Sequence, residues 1–348
     1  GGVGIGAASM LSPLYISEVA PAKIRGVLVS VYQLAIVLGI FIINFVNYKI
    51  GGYGTEEWKV DTGWRYMIGS GLLPSALFLI LLFIVPESPR WLIKKNRSAE
   101  AMDTLERLNG KEEAKAVAAE IKATLNHEEG TIGELFKPGL RKAMIVGAFL
   151  ALFSQITGIN AIIYYAPTIF INAGFSADNA FGITAIIGFI NIIFTILALL
   201  LIDKAGRKSL LLWGVAGMML SLAGTAYCFL NGIGGAYLVG CIFVYIACFA
   251  ASLGPIPWVI ISEIFPTKTR GVAMSFATTI LWIGVLLITF FTPIMLKEGN
   301  LGSTPAEAGG YTFLIFLFNA LLLWIFTKIR IPETKQKTLE EIELSWTK

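Results

Sequence analysis

Seven long stretches of this sequence hold no Asp, Glu, Lys, Arg or His, yet amides recur inside them. Gln33, Asn44, Asn47, Gln155, Asn160 and Asn191 all stand in such runs. A buried amide without a partner costs about 1–3 kcal/mol, so each needs one, in a neighbouring helix or in a ligand. The segment Ser154-Gln155-Ile-Thr157-Gly158-Ile-Asn160, continuing to Tyr164-Tyr165-Ala-Pro167, says more. Gln155 and Asn160 are five apart and would not share a face of a straight helix. Breaks at Gly158 and Pro167 would turn both amides to one cavity. Gly254-Pro255-Ile-Pro257-Trp258 reads as a second broken helix that offers the Trp258 ring to a cavity. Amides pair with hydroxyls and an indole covers an apolar ring face. Together they suit a neutral polyhydroxyl ligand.

A second set of residues is charged and comes in duplicate. Residues 17–26 read SEVAPAKIRG and residues 262–271 read SEIFPTKTRG, 245 positions apart. Pro86-Glu87-Ser88 and Pro332-Glu333-Thr334 echo each other at 246. Glu18 and Glu263 end apolar runs, while Arg25 and Arg270 begin the next ones. Asp203-Lys-Ala-Gly-Arg207-Lys208 joins two runs, and Glu87, Arg90 and Glu333 lie at run exits. These charges are expected to form an ion-pair cluster that holds two halves together in one state. The plainer reading is interfacial scatter, each pair worth about 0–1 kcal/mol. Duplication at equal offset favours the cluster.

The elements that must carry both sets are membrane spans. Of 348 residues, 56% are hydrophobic and only 14% charged, with a mean hydropathy of +0.74. Soluble domains carry about 25% charged residues. The charge-free runs are Gly26–Tyr48, Tyr66–Pro86, Ala143–Ala177, Asn179–Ile202, Ser209–Ser262, Gly271–Leu296 and Ala308–Thr327. A spanning helix needs about 20 apolar residues. Six runs fit one span each, the run 209–262 splits at residues 231–235 into two, and residues 1–16 add a shortened first span. Nine spans result, all helical, because backbone groups in lipid need partners within their own segment.

Lys and Arg set the orientation. Segments 17–26, 87–142, 203–208, 262–271 and 328–348 hold all of the 27 but Lys49, Lys59, Arg65 and Lys297. The first set of segments is therefore cytoplasmic. The net charge of +4 follows from this topology and does not point to nucleic acid. Four parts are expected: an incomplete helical bundle over 1–86, a cytoplasmic helical linker over 87–140, a six-helix bundle over 141–331 and a cytoplasmic tail over 332–348. In the linker, Ser98 would cap a helix to about Asn109, and 111–126 would form a second. If the repeats are parallel, the offset implies a missing front to the first half, so the chain reads as N-terminally truncated.

Several chemistries are excluded. Gly1-Gly2-Val-Gly4-Ile-Gly6 lacks the preceding strand of a nucleotide fingerprint, and Gly2 and Gly6 read instead as a small-residue packing face. Cys228, Cys241 and Cys248 lie inside spans with no disulfide or metal spacing and read as packing residues. His127, beside Glu128 and Glu129, reads as a solvated surface residue. No nucleophile elbow, phosphate loop or zinc motif occurs. The chain is expected to be no enzyme and to need no metal or cofactor.

Taken together, these residues resemble the sugar porter family of the major facilitator superfamily. The likeness rests on Pro13-x-Tyr15-x-x-Glu18 with Arg25-Gly26, PESPRW (86–91), QxxGIN with YYAP (155–167), DxxGRK (203–208), GPxPW (254–258), the phrase at 262–271 and PETK (332–335). It spans the whole chain, and its wording is most similar to the bacterial proton/xylose symporter group. The resemblance implies a twelve-span, two-bundle all-α transporter of which this chain supplies spans four to twelve. It implies a multi-pass protein of the bacterial inner membrane that moves a xylose- or glucose-like monosaccharide by alternating access, as a proton symporter in the full-length protein. The alternatives are a facilitator and a sugar sensor, although only 17 residues follow Ile331 where sensors carry long tails. By resemblance, Gln33, Gln155, Asn160, Asn191 and Trp258 bind sugar, Phe249 lines the site, and Tyr164 with Tyr165 closes the outer gate. The sequence departs from the family at Ser154, Ile40 and Leu281, where amides are usual, so the pocket holds fewer of them. The implied proton-coupling Asp of the first span and its arginine partner fall outside this sequence.

Overall fold

The computed structural model describes residues 2–20, 25–125, 132–265 and 269–333, and every regular element among them is helical. First come α1 (Gly2–Val19) and α2 (Arg25–Gly51). A short α3 (Glu56–Trp58) passes through a π-helical turn, Lys59–Gly63, into α4 (Trp64–Ser70) and α5 (Leu72–Leu82). The polar stretch carries α6 (Pro89–Lys94), α7 (Ser98–Asn109), α8 (Lys111–Leu125) and the single turn α9 (Ile132–Leu135). Then follow α10 (Pro138–Ile156), α11 (Ile159–Asn172), α12 (Ala177–Ala205) and α13 (Arg207–Leu230). The last are α14 (Ala236–Ala251), α15 (Ile256–Ile264), α16 (Arg270–Leu296) and α17 (Pro305–Arg330).

Eight helical stretches among the described residues are long and apolar enough to cross a membrane. They fall on the charge-free runs, as the composition requires, with α10–α11 and α14–α15 each sharing one stretch. One stretch starts early, at Lys59, because the π-helical turn continues the rod outward past the apolar run. Lys59, Asp61 and Arg65 thus ride on the helix and not on a loop.

The chain divides into two compact units. The first takes residues 1–36 and 65–130. Within it, Leu92, Ile93 and Ala101 form a small buried cluster against Ala118 and Ile121, so α6, α7 and α8 pack on one another. Tyr15 of α1 donates from its hydroxyl to the Pro86 carbonyl at 2.8 Å. Ser88 caps α6, accepting from the Trp91 N–H at 3.3 Å with Pro89 in the first turn. Ser98 does not cap α7: the helix begins on it, and Arg97 takes the cap position. The Arg97 guanidinium instead donates two bonds to Glu100, at 2.7 and 2.5 Å, and holds that carboxyl below its ordinary range. The packing expected at Gly2 and Gly6 is absent among the described residues, since a Cβ at either would meet nothing within 4 Å. His127 and Asn126 lie outside the described residues.

The second unit takes residues 37–64 and 131–348 and holds the large core. Inside it α13 packs along α17 and α14, and α10 along α16. Glycines allow the closest approach: a Cβ at Gly217 would lie 2.5 Å from Cys248 Sγ, and one at Gly224 2.8 Å from Cys241 Sγ. All three cysteines are free thiols, and two of them fill these glycine gaps as packing residues. This unit carries the two broken helices.

Candidate functional site

Gly158 separates α10 from α11 with φ +104°, a left-handed conformation that glycine adopts without strain. A Cβ there would also lie 2.5 Å from the Phe316 ring, so the position is closed to any other residue. The break does what the spacing of Gln155 and Asn160 required. Asn160 Nδ2 donates to Gln155 Oε1 at 2.6 Å across it. Gln155 Nε2 in turn donates to Ser154 Oγ at 3.0 Å, and that hydroxyl donates to the Ala151 carbonyl at 2.8 Å. Pro167, the other expected break, stays inside α11 and interrupts no element.

A broken helix leaves carbonyls without donors, and buried ones must find partners. Here they come from far along the chain. Tyr245 Oη of α14 donates to the Thr157 carbonyl at 3.1 Å. Asn319 Nδ2 of α17 donates to the Ile156 carbonyl at 3.2 Å. Tyr245 is fully buried, and its ring stacks on Phe249 with centroids 6.5 Å apart. Phe249 is thereby linked to the Thr157 carbonyl at the break through one phenol. On α11, Tyr165 Oη donates to the Thr289 carbonyl of α16 at 3.0 Å.

Every polar group named at this break is neutral. Gln155 and Asn160, joined to each other, keep two amide hydrogens between them and the Asn160 oxygen for a ligand. Such a set offers donors and acceptors side by side, as hydroxyls require, and no charge for an anion or cation.

The second break, at residues 252–255, is built differently. Ser252 Oγ donates to the Cys248 carbonyl at 2.6 Å, and the N–H groups of Ser252 and Gly254 both reach the Phe249 carbonyl at 3.0 Å. Its flanks, Leu253, Ile256 and Ile260, are buried and apolar. Trp258 follows on α15, half-buried against the same core.

The remaining expected ligand residues are dispersed. Asn191 is buried on α12, where its Oδ1 accepts from Thr195 Oγ1 at 3.4 Å. Tyr164, 52% exposed, lines a cavity with Asn44 and Asn47. Gln33 is half-buried on the part of α2 that belongs to the first unit.

Of the charged set, the structure brings Arg207 and Glu333 together. The Glu333 carboxylate accepts from the backbone N–H of Arg207 at 3.0 Å and of Lys208 at 3.1 Å, capping α13 from 125 residues away. Gly206, with φ +88°, turns the chain under that carboxylate. Arg207 Nη1 donates to the Ile202 carbonyl at 3.3 Å, closing the end of α12. Glu87 and Arg90 are exposed in the first unit. The side chains of Glu18, Arg25, Asp203, Glu263 and Arg270 lie outside the described part.

Tyr245 and Asn319 are the site-building residues that the sequence reading passed over. A signal existed for Asn319, an amide inside the charge-free run 308–327, which the rule applied to the other amides would have selected.

Helices throughout the described residues, eight stretches among them long and apolar enough to span, helix breaks within two of these and a neutral amide pair fit a membrane transporter. The family model for sugar (and other) transporters matches residues 1–346, and the chain belongs to that family. It is 45% identical to the arabinose-proton symporter of Bacillus subtilis (strain 168), over all of this chain and 74% of that protein. It is 36% identical to the glucose facilitated diffusion protein of Zymomonas mobilis, over 99% of this chain and 72% of that one. Its fold matches the major facilitator superfamily proton:xylose symporter XylE bound to 6-bromo-6-deoxy-D-glucose, with a TM-score of 0.82 and 40% identity, over 99% of this chain and 72% of that one. The chain is therefore a multi-pass cell-membrane transporter with the major facilitator fold, and not an enzyme.

Proposed function

We propose that this protein carries a monosaccharide across the cell membrane by alternating access, with the sugar held at the Gly158 break. The observation that carries this reading is the Asn160–Gln155 bond of 2.6 Å. It fixes two neutral amides side by side in a span, where an amide without a role would cost stability. Ser154, where the family usually has a second glutamine, serves here as an anchor: buried, it holds Gln155 and does not widen the polar surface. Trp258 and Phe249 supply the apolar ring faces, and Asn191 and Gln33 further amides. The charged residues Glu18, Arg25, Glu87, Arg90, Asp203, Arg207, Glu263, Arg270 and Glu333 bias the inward and outward states on the cytoplasmic side.

Proton coupling is part of the proposal. A relative 45% identical is named a proton symporter, against 36% for one named a facilitator. The test is uptake of labelled xylose, arabinose and glucose into proteoliposomes, with and without an imposed proton gradient. Saturable uptake driven uphill by the gradient is expected. Uptake that only equilibrates would make the protein a facilitator, and no saturable uptake of any sugar would overturn the reading.

A further inference from the structure

Within the second unit, the outer half of α2 meets α11 and α12 around a cavity of about 210 Å³. Each helix presents one face to it. Asn44 and Asn47 lie one turn apart on α2, Tyr164 and Pro167 one turn apart on α11, and Phe181 and Thr184 one turn apart on α12. Close contacts set the walls: a Cβ at Gly188 of α12 would lie 3.0 Å from Phe41 Cα of α2. The space equals about seven water volumes, enough for one sugar ring and too little for two.

The lining has unused hydrogen-bonding capacity. Asn47 Oδ1 is buried and has no hydrogen-bond partner among the described residues. Pro167 has no N–H, so the carbonyl of Ile163, which also lines the cavity, loses its usual donor one turn on. Thr184 spends its hydroxyl proton on the Ala180 carbonyl at 2.8 Å and keeps its lone pairs. Asn44, Asn47 and Tyr164 can donate. Phe181 and Ile163 give apolar surface. The lining carries no charge, so the ligand it fits is a neutral polyol with hydroxyls on its edge and an apolar face.

Position completes the argument. Asn160, Ile163, Tyr164 and Pro167 follow the i, i+3, i+4, i+7 pattern of one α11 face. The cavity thus follows the Gln155–Asn160 pair along that face, about 4 to 11 Å further toward the outer end. The Lys and Arg distribution puts that end outside. We propose that this cavity is a second, outer monosaccharide subsite, bonded by Asn44 and Asn47, which a sugar occupies before passing Tyr164 to the amide pair. The proposal rests on the reading that the protein transports monosaccharides.

The experiment labels the outer face. Phe181→Cys places a thiol in the cavity wall without touching either asparagine. Its modification by a membrane-impermeant maleimide is followed in the intact transporter against increasing xylose or glucose, beside a parent lacking the substitution. The outer subsite predicts protection, with an unchanged half-protecting concentration when Gln155→Ala is added. It also predicts that Asn47→Leu, and separately the cavity-filling Thr184→Leu, raise that concentration fivefold or more while calorimetric affinity at the inner pair stays within twofold. A half-protecting concentration that rises fivefold to tenfold with Gln155→Ala would overturn the proposal, because protection would then report the inner site alone. No protection at any sugar concentration would overturn it too. Failure of sugar transport itself is read separately, as absent uptake in proteoliposomes, because protection requires binding only.

Discussion

Two stretches of the second unit, α10–α11 and α14–α15, are broken, and the two breaks are held in opposite ways. At Gly158 the freed carbonyls are taken by Tyr245 and Asn319, from helices 88 and 163 residues along the chain. At residues 252–255 the freed Cys248 carbonyl is taken by Ser252, four residues away. The first break is fastened to the bundle around it, whereas the second carries its own hydrogen bonds with it. A fastened break keeps two amides in fixed register, which is what selective recognition of hydroxyls needs. A self-contained break can bend without orphaning a partner elsewhere. On the proposed function, the first break would serve recognition and the second movement.

The largest effect should come from filling the fastened break. Gly158→Ala must place a residue with a side chain at φ +104°, a cost of about 1–2 kcal/mol, and must also displace the Phe316 ring. Gly254→Ala meets only ordinary contacts, with the Ala250 carbonyl oxygen 3.5 Å away, and should stay within about 0.5 kcal/mol of the parent. Thermal inactivation of sugar binding in detergent compares the two, and equal midpoints would erase the distinction.

Next in size are the fasteners. Tyr245→Phe and Asn319→Leu each orphan a carbonyl, at about 1–3 kcal/mol. Both should weaken sugar affinity as well as stability, because the amides lose their register. Ser252→Ala should lower stability by about 1 kcal/mol and slow transport while leaving affinity unchanged. Uptake kinetics beside calorimetry separates these outcomes, and a loss of affinity in Ser252→Ala would break the division of roles.

A third turn joins α12 to α13. Gly206 there also has a positive φ, +88°, but at the membrane surface the partner is a carboxylate, and the groups it satisfies are N–H donors. Glu333→Gln should cost about 1 kcal/mol and shift the inward/outward balance seen by cysteine labelling, with sugar affinity intact. The smallest signal is local. In hydrogen–deuterium exchange, residues 252–256 should lose protection faster than residues 156–160.

Much of this was legible in the sequence because it depends on near neighbours. Charge-free length gave the spans, and the five-residue spacing of Gln155 and Asn160 demanded a break that Gly158 provides. Pro167 was misleading, since a proline inside a packed membrane helix removes one bond without ending the helix. Ser98 has the composition of a cap, but Arg97 took that position and satisfied its own charge on Glu100. What could not be read were pairs joined only by tertiary packing. Nothing local to Tyr245 or Asn319 names Thr157 or Ile156 as its partner, whereas Arg207 and Glu333, placed in one expected charge cluster, do meet, with the carboxylate on backbone N–H groups.

Calorimetric titration of single and double variants decides whether the Gln155–Asn160 pair binds the sugar. One hydrogen bond is worth about 1 kcal/mol, so Gln155→Ala should weaken binding roughly fivefold to tenfold. Asn160→Ala should do the same. The double variant should lose less than the product of the two, because the two amides bond each other. Trp258→Ala should weaken binding independently of both. Unchanged affinity in both Gln155→Ala and Trp258→Ala would mean that the sugar is held elsewhere.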